Sequence, residues 1–240
     1  MDTIEFKKYE KKGAYHWSDI RRHPLWRNAF VLGRYQNMVT LLQTRFPKND
    51  TPIKILDIGC GDGALSAMLA RQGFEVFGID TSDLAIQLAK KMTSAIGLSI
   101  DFRVASTYEL PWPAASFDAV LSSDVIEHVA QPERMLHEIH RVLKPDGCAI
   151  VSTPIRLNEF PAAEHVVEWF PQEYQAVIRE YFPQTQFYQS HPIFWEELCR
   201  VSRLAKIIVN LLSLYKNPYC GFESCFKHQA LQYSVSKKCL

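Results

Sequence analysis

The run Ile-Lys-Ile-Leu-Asp-Ile-Gly-Cys-Gly-Asp-Gly at residues 53–63 constrains this chain more than any other stretch. Its opening is a short apolar run rich in isoleucine, as suits a buried strand. Glycine then recurs at 59, 61 and 63, and a helix-patterned segment at 64–71 follows at once. Strand, glycine turn and helix bring backbone amides close to a ligand, because glycine turns sharply and has no Cβ to hold the ligand off. A glycine turn alone would suit a dinucleotide or a simple link between two elements. Two acids narrow the choice. Asp57 lies just inside the strand end, where it would repel a pyrophosphate and attract a ligand carrying a cationic amino group. Asp80 ends a second strand-like run at 75–80 and is placed to accept two hydrogen bonds from a ribose diol.

Two further runs follow: Phe-Asp-Ala-Val-Leu-Ser-Ser-Asp-Val-Ile-Glu-His-Val at 117–129, and Leu-Lys-Pro-Asp-Gly-Cys-Ala-Ile-Val-Ser-Thr-Pro at 143–154. In this order and spacing the segments resemble the class I S-adenosylmethionine-dependent methyltransferases over residues 54–154. The resemblance implies a Rossmann-like α/β fold. Its seven-stranded, mostly parallel sheet has helices on both faces, and an antiparallel last strand slots between the fifth and sixth. It implies S-adenosyl-L-methionine as cofactor, held by Asp57, Gly59, Cys60, Gly61, Asp80, Thr81, Ser106, Thr107 and Ser122. Many relatives carry an acid where Ser106 stands, to bind the adenine amino group. The hydroxyl here shifts that duty toward backbone groups and apolar walls such as Leu110 or Trp112.

The 240 residues suffice for one α/β domain with appendages. We read residues 1–50 as an N-terminal helical lid and 51–240 as the methyltransferase domain, with a helical insertion near 195–215. Apolar spacing predicts a helix over 24–46, with Tyr15, Trp17 and Trp26 either over the cofactor mouth or packing that helix onto the sheet. Arg34 reads as an exposed structural arginine, with the cofactor carboxylate as its other possible partner. Strands are expected at 53–59, 75–80, 99–105, 117–123, 147–153, 187–191 and 231–236. Helices are expected at 63–72, 82–96, from 132 and over 171–182, with His137 and His140 exposed on the surface.

Net charge is +1, so no global field points to nucleic acid or an anionic membrane. The Lys7, Lys8, Lys11, Lys12 cluster is interrupted by acids and reads as a solvated face. No secretory signal or membrane-spanning run is visible, and the six cysteines form no Cys-x-x-Cys pair. Reduced thiols and a cytoplasmic location are the expectation.

Methyl transfer from a sulfonium chiefly requires the nucleophile to be aligned and deprotonated. In open α/β sheets the reactants gather at the carboxyl ends of the strands. There stands Asp124-Val-Ile-Glu127-His128, and after the fifth strand His165. Asp124, Glu127, His128 and His165 together suit a divalent ion (Mg²⁺, Mn²⁺ or Fe²⁺), with Glu127, His128 and His165 as the catalytic candidates. The pattern is similar to the metal site of small-RNA terminal ribose O-methyltransferases, though Asp124 is one methylene shorter than their usual Glu. Over 124–129 it also resembles the ubiquinone-biosynthesis O-methyltransferases. A direct histidine base and purely alignment-driven catalysis are the alternatives.

The expected function is methylation of a hydroxyl on a small-molecule, sugar or lipid-linked acceptor. A terminal-ribose RNA methyltransferase, a silent cofactor-binding regulatory module and a dehydrogenase are the rivals. The near-zero charge counts against the first of these, the intact acceptor-side residues against the second, and Asp57 with Asp62 against the third.

Overall fold

A computed structural model describes residues 8–21, 23, 25, 27–47, 51–156, 165–222 and 228–238. Trp26, Cys225, Cys239 and part of the 47–52 linker lie outside these residues. Seven strands form one sheet: β1 (Lys54–Ile58), β2 (Glu75–Asp80), β3 (Asp101–Val104), β4 (Phe117–Ser123), β5 (Leu143–Pro154), β6 (Thr185–Pro192) and β7 (Gln229–Lys237). Their order is β3-β2-β1-β4-β5-β7-β6. The first five run parallel, and β7 is antiparallel between β5 and β6, as the resemblance implies.

Nine helices are seen among the described residues: α1 (Lys8–Lys12), α2 (Tyr15–Asp19), α3 (Ala29–Arg45), α4 (Ala64–Ala70), α5 (Asp83–Ser94), α6 (Pro132–Val142), α7 (Pro171–Tyr181), α8 (Ile193–Val201) and α9 (Arg203–Leu212). One apolar layer joins Leu56, Val120, Ala149 and Val151 to the α6 stripe of Met135, Leu136, Ile139 and Val142. The other joins Ile55, Leu121 and Ile150 to Met38 and Leu42 of α3 and to Leu65 and Leu69 of α4. Alternate residues of the central strands thus face opposite layers, which is why these strands read as nearly continuous apolar runs.

Several expectations need correction. The helix expected over 24–46 starts only at Ala29, because the Asn28 side chain caps it by accepting from the amides of Phe30 and Val31. With Met38 and Leu42 fully buried, α3 is a core helix, while Tyr9 of α1 and His16 of α2 lie against Gly61 of the glycine turn. The segment expected as one helix over 195–215 breaks at Ser202. There the backbone is extended, and the side chain accepts from Ala205 N at 3.2 Å to cap α9. His140 is half-buried against Phe182 at 5.6 Å, and burial lowers its pKa. Trp112 packs edge-on against Phe117, the first residue of β4, at 5.2 Å. Buried Leu110 and partly buried Trp112 both belong to the core layer. Of the cysteines, Cys60, Cys148, Cys199 and Cys220 are free, as expected.

Candidate active site

The glycine turn stands at the carboxyl ends of β1 and β2. Gly59 and Gly61 both take left-handed φ, +69° and +54°. A Cβ on Gly59 would overlap Val125, and one on Gly61 would overlap the Tyr9 hydroxyl. The turn therefore needs glycine for its conformation and for its neighbours. A Gly59→Ala variant is expected to lose about 1–3 kcal/mol of stability, measured by urea unfolding. Unchanged unfolding would contradict the crowding described.

Asp80 holds the turn in place. Its Oδ2 accepts from Gly61 N at 3.0 Å and its Oδ1 from Ser82 N at 2.9 Å. Asp57 is fully buried and accepts from Ser66 Oγ at 2.6 Å. Burial pushes its carboxyl up to about 7, with the nearby Asp80 charge acting the same way and the Ser66 bond opposing. Cys60 lies buried in the turn, its amide bonded to Ile79 O at 2.8 Å, and burial raises its thiol pKa.

Two buried hydroxyls in this region, Ser122 Oγ at the end of β4 and Thr107 Oγ1 in the loop after β3, have no hydrogen-bond partner among the described residues. A buried polar atom without a partner is costly. Ser106 and Thr81 are exposed instead, and the Ser106 hydroxyl accepts from Tyr108 N at 3.2 Å, capping its own loop.

Over the turn lie α1 and α2. Trp17 Nε1 donates to Asp62 O at 2.6 Å, and His16 N donates to Asp62 Oδ2 at 2.9 Å. Tyr9 is buried against Gly61, with Tyr15 at 5.4 Å. Sequence reasoning missed Tyr9, because it sits in the lysine-rich stretch read as solvated. A lone aromatic between Lys8 and Glu10 was the available signal.

The segment after β4 carries Asp124, Glu127 and His128. Asp124 takes a left-handed φ of +54°, and a single 3-10 turn, Ile126–His128, follows. The turn buries Glu127 completely, where Oε2 accepts from Thr153 Oγ1 of β5 at 3.1 Å and Oε1, 3.9 Å from His128 Nε2, has no hydrogen-bond partner among the described residues. Burial first, then the Asp124 charge, raise the Glu127 pKa well above the usual carboxylate range.

The amides of Val166 and Val167 donate to Glu127 O at 2.8 and 3.1 Å, which carries His165 into place. His165 packs edge-on against His128 with ring centres 4.9 Å apart, and its Nδ1 meets Glu168 Oε1. One ligand atom each from Glu127, His128 and His165 falls within a mutual 4.8 Å. Three of the four candidates thus come together. Asp124 does not: it pairs with Arg34 and accepts from Ser152 Oγ at 2.9 Å. Arg34, expected to be exposed, is nearly buried beside it.

A Rossmann-like sheet, an acid-bounded glycine turn and an acceptor cluster at one edge define a class I methyltransferase. A family profile described as "Methyltransferase domain" matches residues 56–151. The ubiquinone biosynthesis O-methyltransferase of Rhizobium etli is 32% identical over 192 residues, covering 75% of this chain and 77% of that protein. That of Roseobacter denitrificans is 38% identical over 186 residues, covering 71% and 73%. The chain belongs to this S-adenosylmethionine-dependent O-methyltransferase family.

Solved structures share the fold. Phosphoethanolamine N-methyltransferase 2 of Haemonchus contortus, in complex with S-adenosyl-L-methionine, superposes with a TM-score of 0.68 at 19% identity, over 98% of this chain and 60% of that one. The [4+2]-cyclase SpnF gives 0.63 at 21% identity, over 90% and 83%.

Proposed function

We propose that this enzyme methylates a hydroxyl on a small-molecule, sugar or lipid-linked acceptor bearing a neighbouring oxygen, at a site where Glu127, His128 and His165 hold a divalent ion. The observation that carries this reading is the buried Glu127 Oε1, which has no hydrogen bond among the described residues and lies 3.9 Å from His128 Nε2 in a cluster with two imidazoles. A buried carboxylate oxygen left without a hydrogen bond is unfavourable unless a cation or a proton satisfies it. One carboxylate and two imidazoles suit Mn²⁺ or Fe²⁺ as ligands and leave positions open for an acceptor. When bound, such an ion lowers the pKa of an acceptor hydroxyl.

The residues of the chain do the rest. Thr153 and the two valine amides fix Glu127, and Glu168 orients the His165 ring. Asp57, Gly59, Cys60, Gly61, Asp80, Thr107 and Ser122 form the cofactor cradle, with Ser106 and Thr81 at its rim. Asp57 faces the ligand's ammonium group and Asp80 the ribose. Fixing both reactants in line supplies most of the acceleration, of order 7–11 kcal/mol in well-aligned systems. His128 or His165 as a direct base is the reading that remains if the ion is absent. A net charge of +1 and no basic stripe weigh against an RNA acceptor.

Turnover tests the proposal. Activity on a catechol or vicinal diol that falls on chelation and returns with Mn²⁺ supports it, and turnover indifferent to chelation would leave the histidine base. A second test follows from Asp57. In the empty chain its carboxyl stays protonated below about pH 7, while a bound ammonium group favours the carboxylate. Affinity for S-adenosylhomocysteine is therefore expected to rise between about pH 5.5 and 7.5, by up to tenfold per pH unit. Asp57→Asn should flatten that rise, and a flat wild-type profile would contradict the role given to Asp57. The sign for stability is opposite. A raised folded pKa contributes stability that is full below the unfolded carboxyl value and lost as pH rises through about 7.

A further inference from the structure

Asp62 stands in the glycine turn between Gly61 and Gly63, which both take left-handed φ, +54° and +78°. An acid in a turn ordinarily faces water. This one is 0% exposed, and α2 supplies its partners. Asp62 Oδ2 accepts from His16 N at 2.9 Å, and its backbone oxygen accepts from Trp17 Nε1 at 2.6 Å. The other carboxylate oxygen, Oδ1, lies 3.4 Å from His16 Nδ1 and has no hydrogen bond among the described residues. Each of these contacts joins the turn to a segment 45 or 46 positions earlier in the chain.

The position of α2 depends on such contacts. The helix has five residues, none of them buried, and no side chain caps its start. A helix this short is not held by its own backbone bonds. Trp17 and Ile20 lend it partly buried apolar contacts with the α3 layer, and Asp62 ties it to the turn itself. The preceding helix rides on the same piece. Gly13 N donates to Tyr9 O at 2.9 Å and Tyr15 N to Gly13 O at 2.8 Å, so whatever holds α2 also holds the Tyr9 hydroxyl against Gly61. Burial first, and then neighbours that include Asp62 and Asp80, raise the Tyr9 pKa, as expected of a phenol set among the acids of the turn. The tie is also releasable. Lifting α2 lets Asp62 Oδ1 reach water, which offsets part of the loss of the two hydrogen bonds.

We propose that Asp62 is a positioning residue that latches α1 and α2 onto the glycine turn and so sets the rate at which the methyl donor enters and its product leaves. Tyr9 and His16 cover Gly61, so exchange of a ligand at the turn requires the latch to open. The proposal rests on the cofactor lying at the glycine turn and is independent of the ion at Glu127.

Amide hydrogen exchange of the full chain, empty and with S-adenosylhomocysteine, tests the latch, and stopped-flow displacement of S-adenosylhomocysteine tests its consequence. Asp62→Ala removes the acceptor of the His16 amide and should speed exchange over residues 15–19 by about tenfold or more, with β1 and α4 protected as in the wild type. The same variant should release S-adenosylhomocysteine about tenfold faster or more. Asp62→Asn keeps an oxygen for His16 N and should stay within about threefold of wild type in both measurements. Trp17→Phe leaves the turn intact, loses one bond to Asp62 and should speed release by roughly threefold. Wild-type exchange over 15–19 in the empty Asp62→Ala chain overturns the latch whether or not the cofactor binds. Faster exchange there with unchanged release overturns the link to cofactor traffic. Equal loss of protection in β1, α4 and α2 overturns the proposal and makes Asp62 a residue of the fold. Should Asp62→Ala not fold, Trp17→Phe decides, and wild-type release in that variant counts against the latch.

Discussion

Glu127→Gln is expected to lower kcat by about 10²–10⁴-fold while leaving S-adenosylhomocysteine affinity and the unfolding midpoint close to wild type. The substitution keeps the volume of the buried side chain and one acceptor oxygen for Thr153 Oγ1, now 3.1 Å from Oε2. Burial already raises the Glu127 pKa, so in the empty chain the side chain resembles a neutral acid, which Gln mimics. The loss should therefore fall on the chemistry and not on the fold. The amide cannot serve as the anionic member of the cluster with His128 and His165. Steady-state kinetics with a diol acceptor, alongside calorimetry of the cofactor product, would measure both halves. Full turnover in this variant would remove Glu127 from the site.

The second large effect is expected at Arg34. It lies on α3, and its guanidinium pairs with Asp124 above the end of β4, the two side chains being 12% and 13% exposed. Burial alone would lower the Arg34 pKa, but the adjacent Asp124 carboxylate more than reverses this and raises it. Arg34→Ala leaves that carboxylate with the Ser152 hydroxyl as its one remaining partner described here. Breaking a buried pair in this way typically costs 3–5 kcal/mol, reduced somewhat here by the residual exposure. In a chain of this size about 1 kcal/mol shifts the midpoint by roughly 2–4 °C, so a fall of about 10 °C is expected in thermal unfolding. Asp124→Asn added to Arg34→Ala should recover part of the loss, because the orphaned charge is then gone. An Arg34→Ala variant that melts like wild type would mean the pair is worth little. Asp124 also sets the start of the turn that carries Glu127 and His128, so the single variant should lose activity as well.

The cofactor half was the most legible part of the chain. Residues 53–63 carry the strand, the turn and Asp57 in one local run, and Asp80 ends the neighbouring strand, where it accepts from the Gly61 amide. The seven strands and the antiparallel last one between the fifth and sixth followed from the same resemblance. Long-range partners were not legible. Arg34 and Asp124 are separated by 90 positions, and nothing in either local pattern announces their pairing. Asp124 therefore joined the ligand set on helical spacing, although its left-handed φ and a 3-10 turn place it elsewhere. Tyr9 was hidden by its lysine neighbours. The break at Ser202 was obscured because apolar periodicity continues across it, and only the serine cap marks the new start. The α9 helix was visible as hydrophobicity, but the face it turns inward depends on Asn210 and Ser213 being held by residues 27–29.

The most direct test of the central claim is calorimetric titration of Mn²⁺ into the complex with S-adenosylhomocysteine, for the wild type and for His165→Ala. The account expects one ion per chain in the wild type and none in His165→Ala, with both chains binding the cofactor product equally well. Cofactor binding without ion uptake in the wild type would contradict the metal site and leave a methyltransferase that works through its histidines and alignment. Equal uptake by the two proteins would show that the ion, if held, is not held at this cluster.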